Sequence, residues 1–143
     1  MKPSVKLSAI AALALAMFFS NCSRNSSSDN NGPVSPIVTA GGWHVSLFSE
    51  RGDNETSDFD GYNFTFQTDG KLIAQKGAVT KQGTWSENTS SHKLIIDLGP
   101  KQDSNKPLGE LTDDWVIVSS GSNKISLTDD NSSREELLEF TRH

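Results

Sequence analysis

A single cysteine, Cys22, stands in 143 residues, so no internal disulfide can staple the fold and no cysteine-rich zinc site can form. The histidines His44, His92 and His143 are too widely spaced to supply the close ligand pairs of a zinc motif. No metal or other cofactor is expected. Lysine and arginine are outnumbered, 13 against 18 Asp and Glu, for a formal charge of −5. They form no cluster that would neutralise a run of phosphates, which argues against a nucleic-acid partner. There is no Gly-x-Ser-x-Gly elbow, and no serine can be matched to a histidine and an acid, so no enzymatic activity is expected. The chain also lacks an apolar run near the 20 residues that span a bilayer. Its longest, Leu7 to Phe19, has 13 residues and reaches about 20 Å as a helix, against a hydrocarbon core of about 30 Å.

That short run is informative by its position. Lys2 and Lys6 precede it and Phe19-Ser20-Asn21-Cys22 closes it, the layout of a cleaved secretory signal. The lone cysteine behind Ser20 and Asn21 resembles the lipobox of bacterial lipoproteins. The resemblance implies a signal peptide over residues 1–21, a diacylglyceryl group on the Cys22 thiol, and Cys22 as the mature N-terminus. Loss of Lys2 and Lys6 leaves 11 basic residues against 18 acidic, or −7. The mature chain then offers no basic face to anionic lipid, and membrane attachment rests on the acyl chains of Cys22. The expected location is the bacterial cell envelope, lipid-anchored at the outer membrane, in either leaflet. Residues 22–40 are dominated by Ser, Asn, Asp, Gly and Pro, a composition that buries too little apolar surface to offset its ordering entropy. They are expected to form a flexible tether, about 15 residues reaching roughly 20–25 Å.

From Gly41 onward apolar residues alternate at period two, the pattern of half-buried strands. Trp43, Val45 and Leu47 share one face, as do Tyr62, Phe64 and Phe66. Thr68-Asp69-Gly70-Lys71 supplies a tight turn into Leu72-Ile73-Ala74. Gly83-Thr84-Trp85 opens another strand, Leu94, Ile96 and Leu98 return, and Trp115 to Val118, Ile125 with Leu127, and Leu138 with Phe140 complete the set. The sequence predicts an all-β domain over residues 41–143, an antiparallel up-and-down meander of about eight strands. Closure into a barrel would remove its exposed edges; a two-sheet sandwich is the alternative.

Three stretches resemble a known family. Gly41-Gly42-Trp43 is a Gly-x-Trp opening the first strand, as in lipocalins. Tyr62 to Gly70 followed by Gly83-Thr84-Trp85, and Leu138 to Arg142 at the end, look like the lipocalin-like domains of Bacteroidota lipoproteins. The resemblance implies the fold of small envelope lipoproteins, and packing of the late Arg142 over Trp43 by a cation–π contact. It lends no activity, and this chain lacks the long C-terminal helix and disulfides of larger lipocalins.

Other candidates are weaker. Asp53 to Gly61 is acidic, but alignment to a calcium loop puts Thr56 at the first ligand and Gln67 at the last, so a solvated loop is the plainer account. Arg51-Gly52-Asp53 matches an adhesion tripeptide and equally a polar turn. Asp113-Asp114 reads as a turn, its two side chains directed to opposite faces. Trp43, Trp85 and Trp115 sit near strand starts, where they would line the mouth of a binding cup or pack the barrel ends. Two functions follow: an envelope protein binding a small apolar ligand or a protein partner, and a filled interaction module working through loops such as Lys101 to Asp114.

Overall fold

The structure, a computed structural model, describes residues 32–131 and 133–143. The expected signal segment and Cys22 lie outside the described residues. Nine strands follow in order: β1 Gly42–Glu50, β2 Asp53–Asn54, β3 Asn63–Phe66, β4 Lys71–Lys76, β5 Val79–Asn88, β6 Lys93–Asp97, β7 Asp113–Ser120, β8 Lys124–Thr128 and β9 Leu137–Arg142. They pair antiparallel in one sheet, and β9 returns to β1. Eight strands therefore form a closed barrel, with β2 an extra short strand folded back on β1. A single sheet closed on itself removes both free edges and rules out the sandwich.

Local chemistry sets the turns. Gly70 takes a left-handed φ of 85° between β3 and β4, and Asp69 Oδ1 accepts the Lys71 amide proton at 3.1 Å, so the turn is fixed by a short acid beside a glycine. After β5, Asn88 Oδ1 accepts from the amides of Ser90 and Ser91. Arg51 and Gly52 are simply the two-residue hairpin between β1 and β2, both at positive φ, as such hairpins require.

The alternation holds on nearly every strand, with one informative break. Pairing of β1 with β9 shifts register between Val45 and Leu47, and such a bulge turns the following side chains to the other face. Leu47, expected inside, is displaced to a partly exposed position, and Phe48 is buried in its stead. Strand β5 also begins at Val79, earlier than Gly83, because its first half is exposed and polar and carries no alternation. Asp113 and Asp114 open β7 rather than forming a turn. The interior is filled by rings: Phe140 meets Phe64 at 5.5 Å and Phe66 at 5.6 Å between centroids, and Phe66 meets Trp85 at 5.7 Å, all edge to face, a favoured aromatic geometry.

One end of the barrel is closed by residues that composition places in the tether. Helix α1, Ser35–Val38, is a single turn with proline in its first turn, where the missing amide costs nothing. Val34 and Val38, four apart and so on one side, are both fully buried. The turn is held by three side chains from strands. Trp43 Nε1 donates to the Val38 carbonyl at 2.8 Å, an Arg142 guanidinium nitrogen donates to the Ile37 carbonyl at 2.9 Å, and Glu87 accepts from the Val34 and Ser35 amides and the Ser35 hydroxyl. The folded domain thus includes Val34 to Ala40. Average composition concealed two valines at helical spacing and one capping acid on a distant strand.

Two outcomes are expected. Phe140→Ala should cost about 3–5 kcal/mol in denaturant unfolding, whereas Val79→Ser, at a side chain 68% exposed, should change stability by less than about 0.5 kcal/mol. Burial pushes the Glu87 carboxyl up, but the bonds from Ser35 and Val34 outweigh it and hold it below its ordinary value. A depressed carboxyl stabilises the fold above its unfolded pKa and loses that contribution as pH falls through the folded value. The gap in thermal midpoint between the parent and Glu87→Gln should therefore be widest near neutrality and close on acidification below about pH 4.

Candidate functional site

The three tryptophans do not gather at one rim. Trp43 and Trp85 lie toward the end closed by α1, and the Trp85 indole donates to the Gln67 carbonyl in the β3–β4 turn at 2.8 Å. Trp115 lies at the other end and donates to the Leu111 carbonyl at 2.9 Å, in the loop between β6 and β7. All three rings are buried, and each N–H fastens a different connecting segment to the barrel. Arg142 places its guanidinium carbon 4.8 Å from the centre of the Trp43 ring, so the same arginine stacks on Trp43 and bonds α1. This geometry makes the tryptophans structural anchors rather than a ligand-facing cup.

A feature open to solvent lies between β1 and β3. These strands pair only at Gly42 with Thr65 and Trp43 with Phe64, after which β1 continues toward β2 and the chain from Glu55 to Tyr62 fills the gap. Its 3-10 turn, Thr56–Phe59, is pinned to β1. The Phe48 amide donates to Thr56 Oγ1, the Glu55 amide donates to the Phe48 carbonyl, and the Phe59 ring packs edge-on against Phe48 at 5.2 Å. Thr56 is thereby committed to the fold, which removes the leading ligand of the calcium alignment.

Between this loop and β1 runs an open groove of about 300 Å³, at the lower end of the range for small-molecule sites. Its apolar surface comes from Val45, Phe59 and Tyr62, and its polar surface from His44, Asp60, Asn63 and His143. The rings of His44 and His143 lie 4.9 Å apart, tilted by 43°. Two polar atoms in the wall, His44 Nδ1 and Asn63 Oδ1, have almost no exposure and no hydrogen-bond partner among the described residues. Buried polar atoms are ordinarily satisfied; these two are covered by the protein itself, Asn63 Oδ1 lying against Gly42. The Lys76 ammonium lies 5.1 Å from the Tyr62 ring centre.

His44 and His143 stand almost a hundred residues apart in sequence, where spacing alone offers no reason to pair them. Closure of the meander brings them together, since the first and last strands become neighbours, while His92 sits in the β5–β6 turn. Asn63 carried no signal at all. The double glycine before Trp43 has a local reason: a Cβ at Gly42 would lie 2.9 Å from Asn63 Oδ1, and one at Gly41 3.4 Å from the Arg142 side chain.

Gly42→Ala should accordingly displace the Asn63 amide while lowering stability by only about 1 kcal/mol. In an Asn63→Ala background the same substitution should cost measurably less, a coupling read by a double-mutant cycle; additive costs would contradict the contact.

The crystal structure of a DUF4847 family protein from Bacteroides vulgatus matches this chain with a TM-score of 0.58 and 18% identity, over 78% of this chain and 98% of that one. No protein-family model matches the chain, and no curated protein matches it. At this identity the likeness shows a shared fold, an eight-stranded barrel consistent with a lipocalin-like architecture.

Proposed function

We propose that this chain is a non-enzymatic lipoprotein of the bacterial cell envelope, anchored at the outer membrane through acyl chains on Cys22, whose barrel is a filled scaffold that binds on its outer wall. The observation that carries this is the interior. Trp43, Phe64, Phe66 and Phe140 are at most 1% exposed and occupy the space where a lipocalin-like cup would hold an apolar ligand. The groove between β1 and β3 offers instead an apolar floor from Val45, Phe59 and Tyr62 beside the polar side chains of His44, Asp60, Asn63 and His143. That chemistry suits a small molecule, or a partner's side chain, that presents an aromatic or aliphatic face and a hydrogen-bonding edge. Envelope placement rests on the charged lead, the 13-residue apolar run and the cysteine behind it.

Cys22→Ala should move the protein from the detergent-extracted membrane fraction to the soluble fraction, since alanine has no thiol to carry the acyl chains that supply the anchoring energy. Unchanged partitioning would place the anchor elsewhere. Native mass spectrometry of membrane-extracted protein should show any copurifying molecule lost from His44→Ala and Asn63→Ala. A bound lipid retained by both variants would return the binding function to the interior.

A further inference from the structure

At the barrel end opposite α1, three carboxylates converge from three separate segments. Asp113 opens β7, Asp129 follows β8, and Glu136 precedes β9. One oxygen from each lies within 4.8 Å of the others. Oxygens bound to one calcium ion at about 2.4 Å are at most about 4.8 Å apart, so the spread of these three is compatible with a shared ion. Asp129 and Glu136 are 7% and 4% exposed, and their inward atoms, Asp129 Oδ2 and Glu136 Oε2, make no hydrogen bond among the described residues.

Two protein cations approach from solvent. Lys101 Nζ is 2.8 Å from Asp113 Oδ2 but 3.5 Å from Glu136 Oε2. Arg134 stands 3.5 Å from Asp113 Oδ2 and 3.9 Å from Asp129 Oδ2. Asp113 is therefore well paired, whereas the two buried oxygens are met only at long range. Three negative charges against two positive leave the group with one excess negative charge. Burial first, then the neighbouring Asp129, Glu50 and Asp113, push the Glu136 carboxyl above its ordinary value, against the pull of Lys101. The Lys101 and Arg134 side chains are 29% and 44% exposed, on long stems that can withdraw to solvent.

We propose that Asp113, Asp129 and Glu136 form a calcium-class divalent cation site, for which the Lys101 ammonium and Arg134 guanidinium are the competing internal counter-ions. An all-carboxylate donor set selects a hard cation over zinc or copper. Ligands of unequal reach, one at the start of β7 and two from the loop between β8 and β9, suit calcium's flexible coordination better than the strict octahedron of magnesium. Binding would tie β7 to the loop between β8 and β9, and would release Lys101 and Arg134 to the surface. The site shares no residue with the groove and does not depend on it.

The test is calcium titration of the full chain, followed by thermal midpoint and by terbium luminescence excited through Trp115. The parent should show a saturable rise in midpoint in the millimolar range, the affinity of weak extracellular sites, with a smaller response to magnesium. Asp129→Asn and Glu136→Gln should each lose the rise; Glu136→Gln keeps the test open should Asp129→Asn fail to fold. Lys101→Met should bind at least about tenfold more tightly, because a competing charge is gone. No response by the parent or Lys101→Met at about 10 mM calcium, ten times the weak end of that range, would overturn the proposal. So would equal responses by the parent and the carboxylate variants. A Lys101→Met protein that loses stability in chelator without gaining a calcium response would show a closed ion-pair network instead.

Discussion

Pairing of the first long strand with the last is the constraint on which the rest of this structure depends. Val45 lies opposite Phe140 and Phe48 opposite Leu138, so two segments nearly a whole domain apart in sequence share one wall. Closure with strands of four to ten residues leaves a narrow interior, and eight such strands enclose little more than their own side chains. The rings of Phe64, Phe66, Trp85 and Phe140 take that space. Any ligand would then have to be met on the outside, and a groove opens where β1 diverges from short β3.

The same closure explains why Trp43 and Arg142 belong together. They are directly opposite in register, so the arginine can stack on the indole and still reach the Ile37 carbonyl. The turn of helix that seals this end is thereby held from both edges of the seam and from Glu87 on β5. Each contact is modest: a cation–π pair contributes about 0.5–2 kcal/mol, the neutral bond from Trp43 about 1 kcal/mol net, and bonds to the charged Arg142 and Glu87 about 1.5–3 kcal/mol. Together they hold a segment whose own length is far too short to be helical alone.

Much of this was legible in the alternation of the sequence. Trp43, Val45, Phe64, Phe66, Ile96, Ile117, Leu127, Leu138 and Phe140 all point inward as period two requires, and Gly70 and the Asn88 turn fall where hairpin chemistry puts them. What failed depends on contacts that no local pattern encodes. A bulge exchanged Leu47 for Phe48; the exposed first half of β5 had no alternation to read; and α1 was hidden in a polar segment because its partners are Trp43, Glu87 and Arg142. His44 with His143, and Asp113 with Asp129 and Glu136, meet only once the barrel has closed. Sequence spacing tests such groups for ligand pairs on one element, and these come from several.

Native-state hydrogen exchange tests closure most directly, because it reads the seam without altering it. Amides bonded between β1 and β9 should exchange only through global unfolding, with the same opening free energy as the slowest amides of β4 to β7. If the β9 amides instead exchange through a local opening several kcal/mol below the global value, the seam between β1 and β9 is a dispensable edge and not the element that holds the barrel together.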